Sequence, residues 1–280
     1  MGSASWGKLA DCGYLKVIEG FGINMSFILK ELALPVAWIW LNRPEKHHAF
    51  NAEMMHDFSR IVEEFRRHPD IRVVILSSRG AESFCAGGDV EYFQSLKSEK
   101  EVREMSLLMQ EALRAISEGP RFYIAAINGN ALGGGLEILS ACHYRMAVPA
   151  AKFGFRQAAN GIITGWGGGR RMMDDLGPRR ALQLFLSAQT ITAKEAQAIG
   201  LIDEISLAEE LTDRAGQLAR RISAIPSDAF NAFMTLYRER HSPRRAEIET
   251  ELFVKLWFRE SFQNWSENFL KKTTDRTNAD

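Results

Sequence analysis

The chain has 280 residues, with 46% hydrophobic and 25% charged side chains, and 35 basic residues balance 35 acidic ones. That composition is globular, and the length is enough to bury a sizeable core without staples. Zero formal charge gives no global field for nucleic acid or an anionic membrane, and three cysteines without a Cys/His cluster exclude a disulfide framework or a zinc-finger pattern.

Taken in order, residues 1–25 are mixed and carry Lys8, Asp11, Lys16 and Glu19, so they lack a signal-type apolar core and read as an N-terminal extension. Pro35 to Leu41 (PVAWIWL) is a buried strand, and Asn42-Arg43-Pro44 breaks it. Met54, Met55, Phe58, Ile61, Val62 and Phe65 mark one face of a helix over 52–67. Ile71 to Leu76 is a second strand, followed by the Ser- and Gly-rich loop 77–88. A helix over 98–117 presents Met105, Leu108, Met109, Leu113 and Ile116 on one side. Phe122 to Ile127 is a third strand. A Gly-dense turn, 128–135, runs into helical spacing at Leu136 to Cys142, and Tyr144 to Val148 is a fourth strand. Residues 161–169 (GIITGWGGG) form another Gly-rich loop, and the chain from Arg170 onward reads as helical, with no strands in its last third. Strand and helix alternation over the first two thirds predicts an α/β core over 26–205, with a C-terminal helical region over 206–280.

Several catalytic templates are absent: GxxxxGK[ST], HExxH and GxSxG do not occur, and the six histidines lack metal-ligand spacing. What remains are two Gly-rich loops that each leave a strand and enter a helix: Phe84-Cys85-Ala86-Gly87-Gly88-Asp89 and Gly133-Gly134-Gly135-Leu136-Glu137. Glycine lets backbone N–H groups approach a ligand closely, and two such groups from different loops form a site for one developing oxyanion. Side chains on a helix lean toward its N-terminus, which brings Glu137 toward that site. The same residues also fit two tight turns and a solvated first-turn acid. Asp89 reads as the N-cap of the helix DVEYFQSL, Trp166 as packing, and His143 as a structural histidine.

The segments WLNRPEKHHAFN (40–51), SFCAGGDV (83–90), AAINGNALGGGLEILSAC (125–142), FGFRQAANGIITGWGGGRR (153–171) and SAQTITAKEAQAIGLIDEI (187–205) resemble the crotonase family, the enoyl-CoA hydratase/isomerase superfamily. The resemblance spans roughly 27–270 and keeps family order. It implies an α/β spiral of repeated ββα units with a C-terminal helical trimerisation region, and hence a homotrimer or dimer of trimers. It implies an acyl-CoA thioester as substrate, no other cofactor, no metal and no nucleic-acid or membrane partner. With the residue composition it places the protein in the cytoplasm. It also implies that the N–H groups of Gly88 and Gly134 hold the thioester oxygen while an enolate forms, with Ala86, Gly87 and Gly133 shaping the two loops. Glu137 matches the first of two catalytic glutamates. Gln157 stands where the second is expected, and Gln accepts no proton, which predicts single-carboxylate chemistry instead of standard hydration. Arg156 replaces a proline and is expected either to face the site or to point to solvent. Lys46 and His48, near Arg43 and His47, are expected to line the CoA groove, and Lys271 and Lys272 match a basic position that reaches CoA in some members.

Three readings follow: an enoyl-CoA hydratase/isomerase-type enzyme, a β-carboxyacyl-CoA decarboxylase like the ethylmalonyl-/methylmalonyl-CoA branch, and a catalytically weak CoA-binding scaffold. The helix near 97–115 mixes Lys97, Lys100 and Arg103 with Glu99, Glu101 and Glu104, a poor track for nucleic-acid phosphates.

Overall fold

A computed structural model describes residues 26–266 and 268, so residues 1–25, Lys271 and Lys272 lie outside the described part of the chain. Two strands followed by helix recur along it. The first set is β1 (Ile28–Ala33), β2 (Val36–Leu41) and α1 (Ala52–Arg67). The second is β3 (Val73–Ser78), β4 (Ser83–Cys85), α2 (Val90–Ser95) and α3 (Glu99–Ser117). The third is β5 (Phe122–Ile127), β6 (Asn130–Leu132) and α4 (Gly134–Leu139). The fourth is β7 (Tyr144–Ala147), β8 (Lys152–Gly154), α5 (Gly168–Leu176) and α6 (Pro178–Ser187). Then come β9 (Ile191–Thr192), α7 (Ala193–Ala198), β10 (Glu204–Ile205), α8 (Leu211–Ser223), α9 (Ser227–Arg238) and α10 (Arg245–Trp257).

From the second set to the fourth, the two strands of each pair part company. β3, β5 and β7 enter a six-stranded sheet of order β1-β2-β3-β5-β7-β10, while β4, β6 and β8 enter a four-stranded sheet closed by β9. Both sheets are mixed: β1 runs antiparallel to β2 and β9 antiparallel to β8, and the other pairings are parallel. β3 is buried at every position, as a parallel strand covered on both faces must be.

The strands that sequence periodicity misses are β1 and the short ones. β1 alternates part-buried and exposed positions from Leu29 to Ala33, and β4, β6 and β8 are three residues each. The expected strandless last third is corrected: Ile191–Thr192 and Glu204–Ile205 complete the two sheets as edge strands. Such two-residue pairings are fixed by their neighbours and have no period of their own. The C-terminal helices divide. α8 packs on β3 and β5, whereas α9 and α10 pack on each other. Phe253 on α10 and Phe258 just after it remain 60% and 77% exposed. Among the described residues, no helix is long and apolar enough to cross a membrane.

Candidate active site at the ends of two short parallel strands

β4 and β6 are parallel neighbours, so the loops that leave their C-terminal ends lie side by side. Gly87 has φ +102° and Gly133 has φ +52°, the left-handed region that favours glycine. A methyl group placed on Gly87 would sit 2.7 Å from the Gly134 nitrogen, so the loops touch backbone to backbone. A parallel bridge between Phe50 and Gly88 fixes the first loop, through Phe50 N–H donating to the Gly87 carbonyl and Asp89 N–H donating to the Phe50 carbonyl. Among the described residues, neither the Gly88 nor the Gly134 N–H donates to any protein acceptor. Aromatic rings pack against both glycines: a methyl on Gly88 would run into Phe93 of α2, and one on Gly134 would lie 2.4 Å from the Trp166 ring. Trp166 also lies near Phe50, with ring centroids 5.9 Å apart.

Glu137, in the first turn of α4, is 2% exposed, which removes the solvated-acid reading. Its carboxylate is held by four donors. Gln157 Nε2 donates to Oε1 at 3.1 Å and Gly165 N–H to Oε1 at 3.2 Å. Trp166 N–H donates to Oε2 at 2.7 Å and Gly168 N–H to Oε2 at 3.0 Å. Two carboxylate oxygens offer about four lone-pair positions, so the group is saturated. Among the described residues, no cation and no second carboxylate hydrogen-bonds to it. Burial pushes the Glu137 carboxyl above its ordinary value, against the pull of the four donors.

The backbone donors come from the GIITGWGGG loop as it enters α5. A helix start aims unpaired N–H groups outward, here at a side-chain carboxylate. That role was not read from the sequence, although a glycine-rich loop running into a helix is its signature. Trp166 therefore both packs and donates. Arg171 of α5 secures the loop: its guanidinium donates to the Ser140 hydroxyl at 2.9 Å and to the Trp166 carbonyl at 2.9 Å. Burial lowers the Arg171 pKa to about 10.

The remaining candidates fall into place around this centre. Gln157 is buried, with Nε2 on Glu137 and with Oε1 lacking a hydrogen-bond partner. Arg156 is exposed and donates to the Ala188 carbonyl at 2.8 Å, so it points to the surface and does not pair with Glu137. His48 is corrected. Its ring is 1% exposed, Nδ1 accepts from the Arg43 N–H at 3.0 Å, and Nε2 lies 2.9 Å from the Arg79 carbonyl. Both nitrogens are spent on backbone, burial lowers its pKa, and it holds the loop instead of offering a ligand contact. Lys46 is exposed and paired with Glu91 at 2.8 Å. Arg43, 9% exposed, donates to Asp89 at 2.6 Å and to the Ala49 carbonyl, so it is not free for a phosphate. Asp89 does cap α2, accepting from the Glu91 and Tyr92 N–H groups. Ala86 donates its N–H to the His47 carbonyl at 3.0 Å, which ties the loop after β4 to the 43–50 loop. His143 is half-buried against Phe122 and Tyr237, and desolvation lowers its pKa to about 4. Among the described residues, no group of His, Cys, Asp and Glu is placed to hold a metal ion.

A mixed α/β fold with two short-strand loops meeting at a buried glutamate defines a class, and comparison with known proteins places the chain within it. The enoyl-CoA hydratase/isomerase family profile matches residues 32–276, and the chain belongs to that family. A crotonyl-CoA hydratase of Syntrophomonas wolfei is 36% identical over 195 residues, 70% of this chain and 75% of that protein. An ethylmalonyl-CoA decarboxylase of Xenopus laevis is 30% identical over 232 residues, 79% of this chain and 76% of that protein. The crystal structure of an enoyl-CoA hydratase from Bacillus anthracis superposes with a TM-score of 0.82 at 26% identity, covering 88% of this chain and 96% of that one.

Proposed function

We propose that this protein is an acyl-CoA enzyme that stabilises a thioester enolate with the Gly88 and Gly134 N–H groups and uses Glu137 as its single acid/base carboxylate. The observation that carries this reading is the surroundings of Glu137: a buried acid beside the Gly134 turn, with an amide, Gln157, where a second acid would be needed for two-carboxylate hydration. Two fixed N–H donors aimed at one oxygen stabilise the charge that develops on it without reorganisation. Glu137 then moves a proton at the carbon next to the thioester. Oε2 is held by the shorter bonds, at 2.7 and 3.0 Å, and Oε1 by the longer ones, at 3.1 and 3.2 Å. Oε1 is therefore the oxygen that exchanges a donor for the substrate proton. In this reading Ala86, Gly87 and Gly133 shape the thioester site, Lys46 meets the CoA phosphates, and the exposed aromatics of α10 are covered by other subunits of a trimer.

Decarboxylation is the second reading, favoured by the resemblance to the Xenopus decarboxylase and by the saturation of Glu137. Losing carbon dioxide generates the enolate directly, so no base has to remove a proton. Incubation with a panel of acyl-CoA thioesters, followed by mass spectrometry, separates the outcomes. Unchanged mass with a moved double bond is expected for the single-carboxylate enzyme, loss of carbon dioxide for the decarboxylase, and rapid gain of water would overturn the single-carboxylate argument. Equal thermal stabilisation by acetyl-CoA and free CoA would leave only the scaffold.

A further inference from the structure

α3 runs past the loop that holds Glu137, and two of its side chains meet one carbonyl there. Ser106 Oγ donates to the Gly165 carbonyl at 2.6 Å, and Gln110 Nε2 donates to the same oxygen at 3.2 Å. Gln110 Nε2 also donates to Ser106 Oγ at 3.1 Å, so the two side chains hold each other. The orientation of the Gln110 amide follows from chemistry: a carbonyl only accepts, so the NH2 group must face it. Ser106 and Gln110 stand four residues apart, on one face of α3.

What lies at the other end of that peptide gives the contact its meaning. The Gly165 carbonyl and the Trp166 N–H belong to one planar unit, so fixing the oxygen fixes the direction of the N–H. That N–H makes the shortest of the four hydrogen bonds to Glu137, at 2.7 Å to Oε2. Donors on a peptide oxygen also polarise the unit and strengthen the bond that its N–H makes. Gly165 is only half-buried, so water can satisfy its carbonyl. Two side-chain donors on its two lone pairs set a direction that mobile water does not.

Building on the reading of Glu137 as the acid/base, we infer that Ser106 and Gln110 are positioning residues that act on Glu137 through the Gly165–Trp166 peptide. Neither hydrogen-bonds to the carboxylate. They set how strongly its charged form is held, and so how readily it takes and gives a proton. Charge reaches Glu137 from Arg171 of α5, which acts through space. The Arg145 guanidinium sits at the other end of α4, on the Leu139 carbonyl. β4 and β6, also packed on α4, carry no charged side chain, and burial pushes the Cys85 thiol up to about 12, which keeps it neutral. Arg103 and Glu104 of α3 are exposed. All of these stay in place when Ser106 or Gln110 is replaced, so a change at Glu137 reports the peptide.

The test is titration of the Glu137 carboxyl by carbon NMR in the full chain labelled at the glutamate Cδ, with the resonance assigned by its loss in Glu137→Gln. Ser106→Ala and Gln110→Leu should each raise the Glu137 pKa, because the charged form loses support. Together they should lower its acid dissociation constant about threefold or more. Ser106→Thr keeps the hydroxyl and should titrate as the wild type does. Alanine is the better helix former, so Ser106→Ala is expected to fold. With a thioester that is turned over, the pH profile of kcat should move the same way while KM holds. An unchanged titration in the folded variants, or a shift in Ser106→Thr as large as in Ser106→Ala, would overturn the inference: a merely structural role lowers Tm and leaves the titration in place. One measurement needs no variant. In the wild-type protein the Trp166 amide proton should be protected from exchange and should shift as Glu137 titrates; rapid exchange, or an amide that ignores the carboxyl, would overturn the inference as well. If Glu137→Gln still turns over a thioester of the acyl-CoA panel at the wild-type rate, the acid/base reading fails. That outcome is separate from an unchanged titration, on which the positioning role alone depends.

Discussion

Asp89 and Glu137 make an instructive pair. Each follows a glycine turn at the end of a short strand, and each sits at the start of a six-residue helix, α2 or α4. Both are buried, at 6% and 2% exposure. What surrounds the charge differs. Asp89 faces the Arg43 guanidinium at 2.6 Å and caps two backbone N–H groups. Its carboxyl would be raised by burial, but the cation and the cap donors overcome that and hold it below the usual range. Glu137 has only neutral donors, and burial prevails. One charge is neutralised within the fold and its energy goes into holding the 43–50 loop against Gly88. The other is hydrogen-bonded by neutral dipoles alone, with the Arg171 guanidinium acting on it only through space, which leaves it responsive to whatever enters beside it.

The largest expected effect falls on the uncompensated acid. Glu137→Gln should lower turnover by about 10²–10⁴-fold, since it removes the proton-transfer group. Binding of a substrate thioester should persist, because the thioester donors are backbone. The new amide also sets an NH2 group against a former backbone donor, so Tm should fall with a stability loss of about 1–2 kcal/mol. Turnover within a few-fold of wild type would make Glu137 a second structural acid like Asp89 and erase the contrast.

The compensated acid should show the opposite split. Asp89→Asn keeps a capping oxygen but leaves the buried guanidinium of Arg43 without its counter-charge, at a cost of about 3 kcal/mol in denaturant unfolding. A carboxyl held low in the folded state contributes stability that is full above the unfolded carboxylate pKa, about 3.9. That contribution is lost as pH falls through the depressed folded value, so the gap between wild type and Asp89→Asn should narrow in acid. A gap independent of pH would show that packing, not charge, is what the substitution removes.

Gln157→Glu converts the dipole-only site toward a paired-charge one, of like sign. Two carboxyl groups in hydrogen-bond contact cannot both ionise easily, so one is raised. A raised carboxyl adds stability that is full below its unfolded pKa and is lost as pH rises through the folded value. The Tm deficit of Gln157→Glu relative to wild type should therefore grow from pH 5 to pH 8. Crotonyl-CoA hydration gained by this variant would show that the site needs only the second acid to hydrate.

How much of this was legible beforehand follows from the range of the interactions. α1 has Met54, Met55, Phe58, Ile61, Val62 and Phe65 at helical spacing, and it spans Ala52–Arg67 as the pattern indicates. The β5 boundaries, Phe122–Ile127, are also those of the sequence reading. β4, β6 and β8 are too short to carry a period, and they exist because neighbouring strands in the second sheet pair with them. At the site, the glycines and Glu137 stood out as residue types. The partners of Glu137 did not, because three of them are backbone N–H groups 28 to 31 residues away, and a backbone group has no letter in the sequence. The Arg43–Asp89 pair spans 46 residues and is set by topology. His48 looked like a ligand-facing polar residue because nothing local reveals that both ring nitrogens meet backbone.

The smallest expected effect concerns an exposed pair beside the compensated acid, where Lys46 contacts Glu91 of α2 at 2.8 Å. Such pairs contribute little to stability, because solvent screens them and both side chains lose freedom. Lys46→Ala should therefore leave Tm unchanged. If Lys46 meets the CoA phosphates, the cost appears in binding: KM for acyl-CoA rises a few-fold at low salt, kcat stays constant, and the difference shrinks at high ionic strength. Glu91→Ala sharpens the test, because Glu91 competes for the same ammonium group. Removing it frees Lys46 and should lower KM at low salt. Opposite shifts from the two substitutions, both screened by salt, identify Lys46 as a phosphate contact. An unchanged KM in both variants would show that the 43–50 loop acts only through Arg43, as the anchor of Asp89.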